Sequence, residues 1–294
     1  MATTGDDPFE KTRMSLGEHL DELRTRLIRG LGALLVAFAV CWFLRDATTD
    51  IVLRPMRQSL EWLDASQVAK YEALLAAEPE RARSEYFTSD DPANRQLRAE
   101  LTVSKRPQAL NFTEQFWFAL KVTLLFASAL GGPIMLWQMW QFIAAGLYER
   151  ARKLVLAYFP FSVFLFLAGI LFGYFVLVPY GFFFLAKTFP PEKVAFAPRL
   201  TDFFSLVAVL TVSLGVVFQL PALMHVLVRL DLVRRETFAR HRAQFIVGAF
   251  IVGAVVTPSP DVITQVLVSV PMILLFEIGL LCTRSSARRA EAVA

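Results

Sequence analysis

The sequence predicts an all-α integral membrane protein whose six membrane-spanning helices form a kinked, concave bundle. Hydrophobic residues make up 55% of the 294 residues and charged residues only 19%, whereas soluble domains carry about 25% charged residues. The charges are also unevenly distributed, because several long segments contain almost none. Such segments are typical of helices that cross a bilayer, whose hydrocarbon core requires about 20 predominantly apolar residues per helix.

Residues 1–26 are predicted to form a cytoplasmic amphipathic helix that leads into the first span. Four leucines spaced four, three and four residues apart form one stripe on this helix: Leu16, Leu20, Leu23 and Leu27. Three acids lie off the stripe: Glu18, Asp21 and Glu22. The mixed charges argue against a cleaved signal peptide, as does the following apolar run, which exceeds a signal's core of about 7–15 residues.

Residues 27–284 are predicted to form the membrane domain. Its six spans are expected at 27–44, 116–143, 154–185, 203–228, 243–256 and 262–281, with an enlarged periplasmic loop at 45–115 and a cytoplasmic tail at 285–294. The loop is expected to contain at least one short amphipathic helix. Prolines predict breaks in four spans: Pro133, Pro160, Pro179, Pro221 and Pro271. Kinked long helices beside two short ones are expected to leave a concave face.

Basic residues decide between two interpretations of the short fifth and sixth spans. The pair could form a re-entrant hairpin, or it could cross a locally thinned bilayer. With six crossings and a cytoplasmic N-terminus, sixteen Lys and Arg residues lie in cytoplasmic segments and three in the two short outer loops. Because cytoplasmic loops carry the excess of Lys and Arg, we expect six crossings with both termini in the cytoplasm.

The sequence contains no motif of a common enzyme or metal site. None of the three histidines belongs to HExxH, and neither GxSxG nor a P-loop occurs. The two cysteines, Cys41 and Cys282, lie in separate apolar segments and indicate no disulfide framework. We therefore expect a protein that is not an enzyme and that holds no metal or cofactor. The net charge of +4 gives no indication of nucleic-acid binding.

Polar residues inside predicted spans are candidates for function, because a membrane makes them costly. Gln219 falls in the middle of the fourth span, where it serves either function or an interhelical hydrogen bond. Gln265 lies at the start of the sixth span and is expected to satisfy backbone donors there. Gly169 and Gly173 form a GxxxG pair, which predicts close helix packing.

Six motifs in register resemble the TatC family, whose members form the receptor subunit of the twin-arginine protein translocase. The motifs are MSLGEHLDELRTRL, WQMWQFIAAGLYERARK, GYFVLVP, FQLP, VGAFIVGAVVTPSPDVITQ and PMILLFEIG. Each motif alone is weakly specific, whereas their common order and spacing are highly specific. The resemblance covers nearly the whole chain except the loop at 45–115.

The resemblance implies that Glu22 recognises signal peptides with paired arginines on folded cargo at the cytoplasmic face. Glu22 occupies the acidic position of the ELR motif, with Arg24 beside it and Glu18 and Asp21 on the same helix. A planar guanidinium meets a carboxylate through two parallel, charge-assisted hydrogen bonds. The competing interpretation is an ion pair between Glu22 and Arg26, worth about 0.2–0.5 kcal/mol.

A second acidic position of the family is replaced in this sequence. TatC proteins usually carry Glu within Y-x-x-E-R, where this chain has Ala151, and the nearest acid is Glu149. On a helix these two side chains point about 200° apart, whereas a loop would let Glu149 take the missing role. The usual proline is also replaced, by Ala145. Three interpretations follow: Glu149 substitutes along a different backbone path, the chain relies more heavily on Glu22, or it is a divergent copy with altered cargo preference. We expect the first.

The resemblance also implies further site residues and partners. The matching positions are Pro55, Phe142, Tyr148, Tyr174, Gln219 and Asp261. The family has no prosthetic group, works with the single-span subunits TatA and TatB, self-associates into a multimeric receptor complex and uses the proton motive force. It resides in the bacterial cytoplasmic (inner) membrane.

Two other functions are open to a chain of this composition. A secondary transporter of small solutes usually shows internal repeats and ionisable groups at mid-membrane, whereas this sequence has no repeat of fixed period and a neutral Gln219. A membrane-thinning insertase would also accommodate two short spans.

Overall fold

The structure, a computed structural model, describes residues 16–77, 113–187, 199–256 and 262–291. The helices are α1 (Leu16–Phe43), α2 (Arg45–Ala77), α3 (Glu114–Ala145), α4 (Glu149–Ala157), α5 (Phe159–Phe172), α6 (Val178–Lys187), α7 (Leu200–Val217), α8 (Leu220–Arg229), α9 (Arg235–Arg240), α10 (Arg242–Val256) and α11 (Val262–Glu291). A π-helical turn at Gly173–Leu177 joins α5 to α6. The predicted all-α class is confirmed.

Among the residues that the structure describes, five helical segments are long and apolar enough to cross a membrane, and one further apolar helix is shorter. The five segments are Gly17–Phe43, Glu114–Ala145, Ala151–Lys187, Leu200–Arg229 and Val262–Thr283, and the shorter helix is Arg242–Val255. The first segment is continuous with the predicted amphipathic helix, because α1 runs without interruption from Leu16 to Phe43. The chain is therefore a multi-span membrane protein.

The fifth and sixth spans were both expected to be short, but only the fifth, α10, is short. α10 has 15 residues, which corresponds to about 22 Å at 1.5 Å per residue and falls short of a hydrocarbon core of about 30 Å. α11 has an apolar stretch of 22 residues, Val262–Thr283, because its helix adds about two further turns to the apolar run of about 15 residues that precedes Glu277. The Glu277 carboxylate binds the Arg242 guanidinium through two bonds of 2.8 and 2.6 Å, so the helix carries this charge as half of an ion pair.

Neighbouring helices enclose apolar cores at both ends of the bundle. α1 lies along α3, α5 and the π-helical turn lie along α7, and α8 and α10 lie along α11. The larger core joins α2 and α6 to α7 and includes Met56, Leu60 and Phe203. A second core surrounds Trp140 and Val155 where α3 leads into α4.

The described part of the long predicted loop forms α2, a helix of 33 residues rather than a short one. Its buried side chains are spaced along one face: Val52, Met56, Leu60 and Leu63. This face packs against α6. The first half of α2 is therefore part of the bundle, although its composition alone is that of a polar loop.

Prolines interrupt fewer helices than expected within the described residues. The third span is interrupted at Tyr158, ahead of Pro160, and the fourth at Phe218 and Gln219, ahead of Pro221. In contrast, α3 and α11 continue through their internal prolines. A proline frees one backbone carbonyl, and a membrane helix tolerates this where neighbouring groups cover the carbonyl.

Candidate recognition site

Glu22 and Arg26 form the most constrained charged pair of α1. Arg26 Nε donates to Glu22 Oε1 at 2.7 Å, and Arg26 Nη2 lies 2.6 Å from the same oxygen. Arg26 Nη1 also donates to Gln141 and, at 3.4 Å, to Gln138 on α3. The side chains are only 18% exposed for Arg26 and 24% for Glu22. The predicted i,i+4 ion pair is therefore present, and two glutamines fix it to α3.

The polar face of α1, not its leucine stripe, contacts the rest of the bundle. Leu20, Leu23 and Leu27 are 64%, 41% and 47% exposed, whereas Glu22 and Arg26 lie against α3. This arrangement suits a membrane, where leucine side chains face lipid at no cost and charged groups require protein partners.

His19 connects α1 to the segment that carries the second predicted acid. Its ring stacks on Phe142, with 4.4 Å between ring centroids. A Cβ added at Gly146 would lie 3.3 Å from His19 Cε1, so glycine lets the chain pass close to the imidazole. The start of α1 and the turn after α3 consequently share one end of the bundle, and Glu22 and Glu149 belong to that end.

Glu149 is the first residue of α4, and Tyr148 precedes it with extended backbone angles. The Glu149 carboxylate lies 2.8 Å from Lys153 Nζ, and its side chain is 80% exposed. This hydrogen bond and the Lys153 charge hold the pKa of Glu149 below its ordinary value. Glu149 and Ala151 lie on the same helix, so their side chains point in different directions. No loop at this position brings the Glu149 carboxylate to the place of a side chain at residue 151.

The remaining candidate residues at this end of the bundle are exposed. Glu18, Asp21 and Arg24 are exposed on α1, and Tyr148 is 54% exposed. This end of the bundle thus carries one half-buried carboxylate, Glu22, together with exposed acids on α1 and α4.

Gln219 closes a hydrogen-bonded chain between three spans. Trp140 Nε1 donates to Ser162 Oγ at 2.9 Å, and Ser162 Oγ donates to Gln219 Oε1. Gln219 Nε2 donates back to the Ser162 carbonyl at 3.1 Å. Ser162 is fully buried. Gln219 also lines a cavity of about 530 Å³, whose other wall residues are apolar except for Ser128. Its interhelical hydrogen bonds therefore leave Gln219 accessible from this cavity.

Pro55 and Tyr174 are linked through one backbone carbonyl. Pro55 lies inside α2 and has no N–H, so the carbonyl of Ile51, four residues earlier, lacks its helical donor. The Tyr174 hydroxyl donates to this carbonyl. Tyr174 lies in the π-helical turn, and such turns recur at functional positions. The two residues therefore join α2 to the third span.

Tyr174→Phe is expected to lower the melting temperature of the protein, because the Ile51 carbonyl loses its donor in a segment that has no helical substitute. An unsatisfied buried acceptor costs about 1–3 kcal/mol. Thermal unfolding in mild detergent, followed by tryptophan fluorescence, measures the change. Tyr180→Phe, at a 47% exposed position, is the matched control, and equal melting temperatures for the two variants would contradict this role of Tyr174.

Gln265 joins α11 to α10 instead of satisfying the start of its own helix. Its Nε2 donates to the Phe250 carbonyl at 2.9 Å. Ser269, one turn later, donates to the Ala249 carbonyl at 3.0 Å. These bonds hold the short helix against the long one. Asp261, the acid expected in the turn between them, lies outside the described residues.

Glu114 is a buried carboxylate that sequence analysis did not single out. It begins α3 and is 8% exposed. Its Oε1 accepts hydrogen bonds from the backbone N–H and hydroxyl of Thr201, at 3.3 and 3.0 Å. Thr201 lies in the first turn of α7, where the helix dipole favours a negative charge. The sequence contains one indication of this site, an acid at the border of an apolar segment. It could not identify the partner, because Thr201 is 87 residues away.

Comparison with known proteins identifies the family. A sequence model described as "Sec-independent protein translocase protein (TatC)" matches residues 18–271. A TatC protein of Halothiobacillus neapolitanus is 35% identical over 280 residues, which cover 95% of this chain and 64% of that protein. One from Azotobacter chroococcum is 32% identical, covering 98% and 96%.

A solved structure agrees with these relatives. The crystal structure of the twin-arginine translocase receptor TatC superposes with a TM-score of 0.69 at 27% identity, covering 92% of this chain and all of that chain. The range matched by the TatC sequence model, residues 18–271, includes Glu22. The chain belongs to the TatC family of Sec-independent protein translocase proteins.

Proposed function

We propose that this chain is the receptor and core subunit of a twin-arginine translocase. It binds Arg-Arg signal peptides of folded proteins and organises their export. The observation that carries the proposal is the geometry of Glu22, a half-buried carboxylate that already holds one guanidinium, that of Arg26. A site that accommodates an internal arginine has the size and charge that a cargo arginine requires.

A cargo arginine can replace Arg26 without leaving a buried charge unpaired. Arg26 also donates to the side-chain carbonyls of Gln138 and Gln141, so it retains two acceptors when Glu22 turns to the peptide. The exposed acids Glu18 and Asp21 add negative potential on the same helix, which attracts a cationic peptide. Glu149, on α4, is the candidate partner for the second arginine.

The receptor works in the bacterial cytoplasmic (inner) membrane with both termini in the cytoplasm. The concentration of Lys and Arg in the segments of that side supports this orientation. In this orientation Glu22 and Glu149 lie on the cytoplasmic side, where proteins that await export are found. The partners are TatA and TatB, with self-association into a multimeric complex, and the energy comes from the proton motive force. Gln219 is neutral, so its expected role is hydrogen bonding rather than proton transfer.

Site-specific photo-crosslinking tests the proposal. A photoreactive residue at Thr25 or Arg152, each one turn from the acid concerned, leaves Glu22 and Glu149 intact. We expect crosslinks from Thr25 to a peptide with Arg-Arg and at least tenfold fewer to the same peptide with Lys-Lys. A photoreactive residue at Thr237, exposed on α9, is the control.

Two outcomes discriminate further. Equal crosslinking of both peptides from Thr25 would refute receptor function at Glu22. Crosslinks from Thr25 but none from Arg152 would show that Glu149 does not replace the acid missing at Ala151.

A further inference from the structure

An apolar cavity of about 210 Å³ lies between α2, α3, α5 and α7. Leu125 and Ala129 of α3 form one wall, and Val212 of α7 forms another. Phe175 and Val212, at its mouth, are 63% and 42% exposed, so the cavity opens sideways from the bundle. In a bilayer this opening faces lipid. The cavity is separate from the end of the bundle that carries Glu22.

One polar group on the cavity wall has no partner. Thr211 is 4% exposed, and its hydroxyl has no hydrogen-bond partner among the described residues. The hydroxyl oxygen is itself inaccessible, so the cavity wall presents no polar group to an occupant. An occupant therefore fills the cavity with apolar groups, and any polar recognition comes from residues outside it.

Two cations each lie one helical turn from a wall residue of this cavity. Arg54, exposed on α2, follows the wall residue Ile51 by three positions and therefore lies on the same side of the helix. Lys121 is exposed on α3, one turn before the wall residue Leu125 and on the same face. Asp50, one turn before Arg54, is 3.7 Å from Arg57 instead.

Neither Arg54 nor Lys121 forms an ion pair within the part of the chain that the structure describes. A cation within or beside a membrane span is costly unless an anion neutralises it. The phosphate of a lipid headgroup is the anion that a bilayer supplies at this place.

We propose that this cavity binds one anionic phospholipid, whose acyl chain fills the apolar interior while Arg54 and Lys121 hold the phosphate. The lipid comes from the leaflet on the side of α2. The bound lipid joins α2 to α3 and α7, and this site does not depend on signal-peptide recognition.

Native mass spectrometry of the full chain tests the proposal, with phosphatidylglycerol and phosphatidylcholine of identical acyl chains as probes. We expect the wild-type protein to retain one phosphatidylglycerol at least tenfold more tightly than phosphatidylcholine. The double variant Arg54→Gln/Lys121→Gln is expected to lose this preference. Lys187→Gln removes a cation that lies about three helical turns after the nearest wall residue of its span, Phe175, and is expected to keep it.

A second set of variants tests the apolar part of the site. Ala129→Phe fills the cavity and is expected to abolish retention of phosphatidylglycerol while both cations remain. Ala129→Leu replaces it if the larger ring prevents folding, and elution as a single species verifies each variant. Equal retention of the two lipids by the wild type, or phosphatidylglycerol retention unchanged by the double variant or by filling, would overturn the proposal.

Discussion

Glu22→Gln is expected to weaken binding of an Arg-Arg signal peptide by about 10- to 100-fold. Hydrogen bonds to charged groups contribute about 1.5–3 kcal/mol, and 1.4 kcal/mol corresponds to a factor of ten. Glutamine keeps the size of the side chain but offers one neutral acceptor in place of a carboxylate. Fluorescence anisotropy of a labelled peptide, titrated with protein in nanodiscs, measures the dissociation constant.

Matched variants separate recognition from general electrostatics. Glu236→Gln removes an exposed acid on α9, on the side that holds the start of α1, and is expected to leave affinity unchanged. Arg26→Gln removes the internal competitor for Glu22 and is expected to tighten binding about twofold, since such pairs contribute about 0.2–0.5 kcal/mol. Arg29→Gln, an exposed arginine of the same helix, is its control.

Two outcomes would contradict these expectations. If Glu22→Gln and Glu236→Gln bound the peptide equally well, Glu22 would not be the recognition residue. If Arg26→Gln weakened binding as strongly as Glu22→Gln, the ion pair would be a structural element that the peptide needs intact, and competition between the two arginines would be refuted.

Gly169→Ala is expected to lower the melting temperature by about 5–10 °C, which corresponds to a loss of a few kcal/mol for a chain of this size. A Cβ at this position would lie 2.5 Å from the Leu214 carbonyl oxygen and 2.9 Å from a ring carbon of Phe218. The first of these atoms is backbone, so α5 and α7 must separate, and overpacking of this kind costs about 1–3 kcal/mol. The predicted close packing at Gly169 and Gly173 is therefore confirmed.

Gly32→Ala is the matched control for this prediction. A Cβ at Gly32, also within a helix, meets no atom within 4 Å. Because alanine is a better helix former than glycine by about 1 kcal/mol, this variant is expected to be as stable as the wild type or more so. Thermal unfolding of both variants in the same detergent compares them. Similar melting temperatures for Gly169→Ala and Gly32→Ala would show that the packing of α5 on α7 does not require a glycine against the Leu214 carbonyl.

The spans were predictable because a membrane imposes its constraint on local composition. A run of about 20 apolar residues has few alternatives to a helix, and each of the five long segments follows from such a run. The sequence predicts a sixth span that passes the acid Glu277 and reaches residue 281, but it does not predict the partner of this acid. That partner is Arg242, 35 residues earlier.

The candidate site also combines contacts that the sequence predicts with contacts that it does not predict. The pair of Glu22 and Arg26 follows from a spacing of four residues on one helix. Its attachment to Gln141 does not, because 115 residues separate the two side chains. The same holds for Glu114 and Thr201, and for the hydroxyl of Tyr174 on the carbonyl that Pro55 leaves free.

By itself, the sequence determined the helical membrane class, the apolar segments and the family, because hydropathy and short motifs are properties of contiguous residues. Only the tertiary structure decided that α2 belongs to the bundle, that the polar face of α1 lies against α3, and that an apolar cavity opens between α2 and α7. Each of these features depends on atoms that are distant in the chain. Hydropathy places a segment in the bilayer, whereas packing and hydrogen-bond satisfaction choose its neighbours.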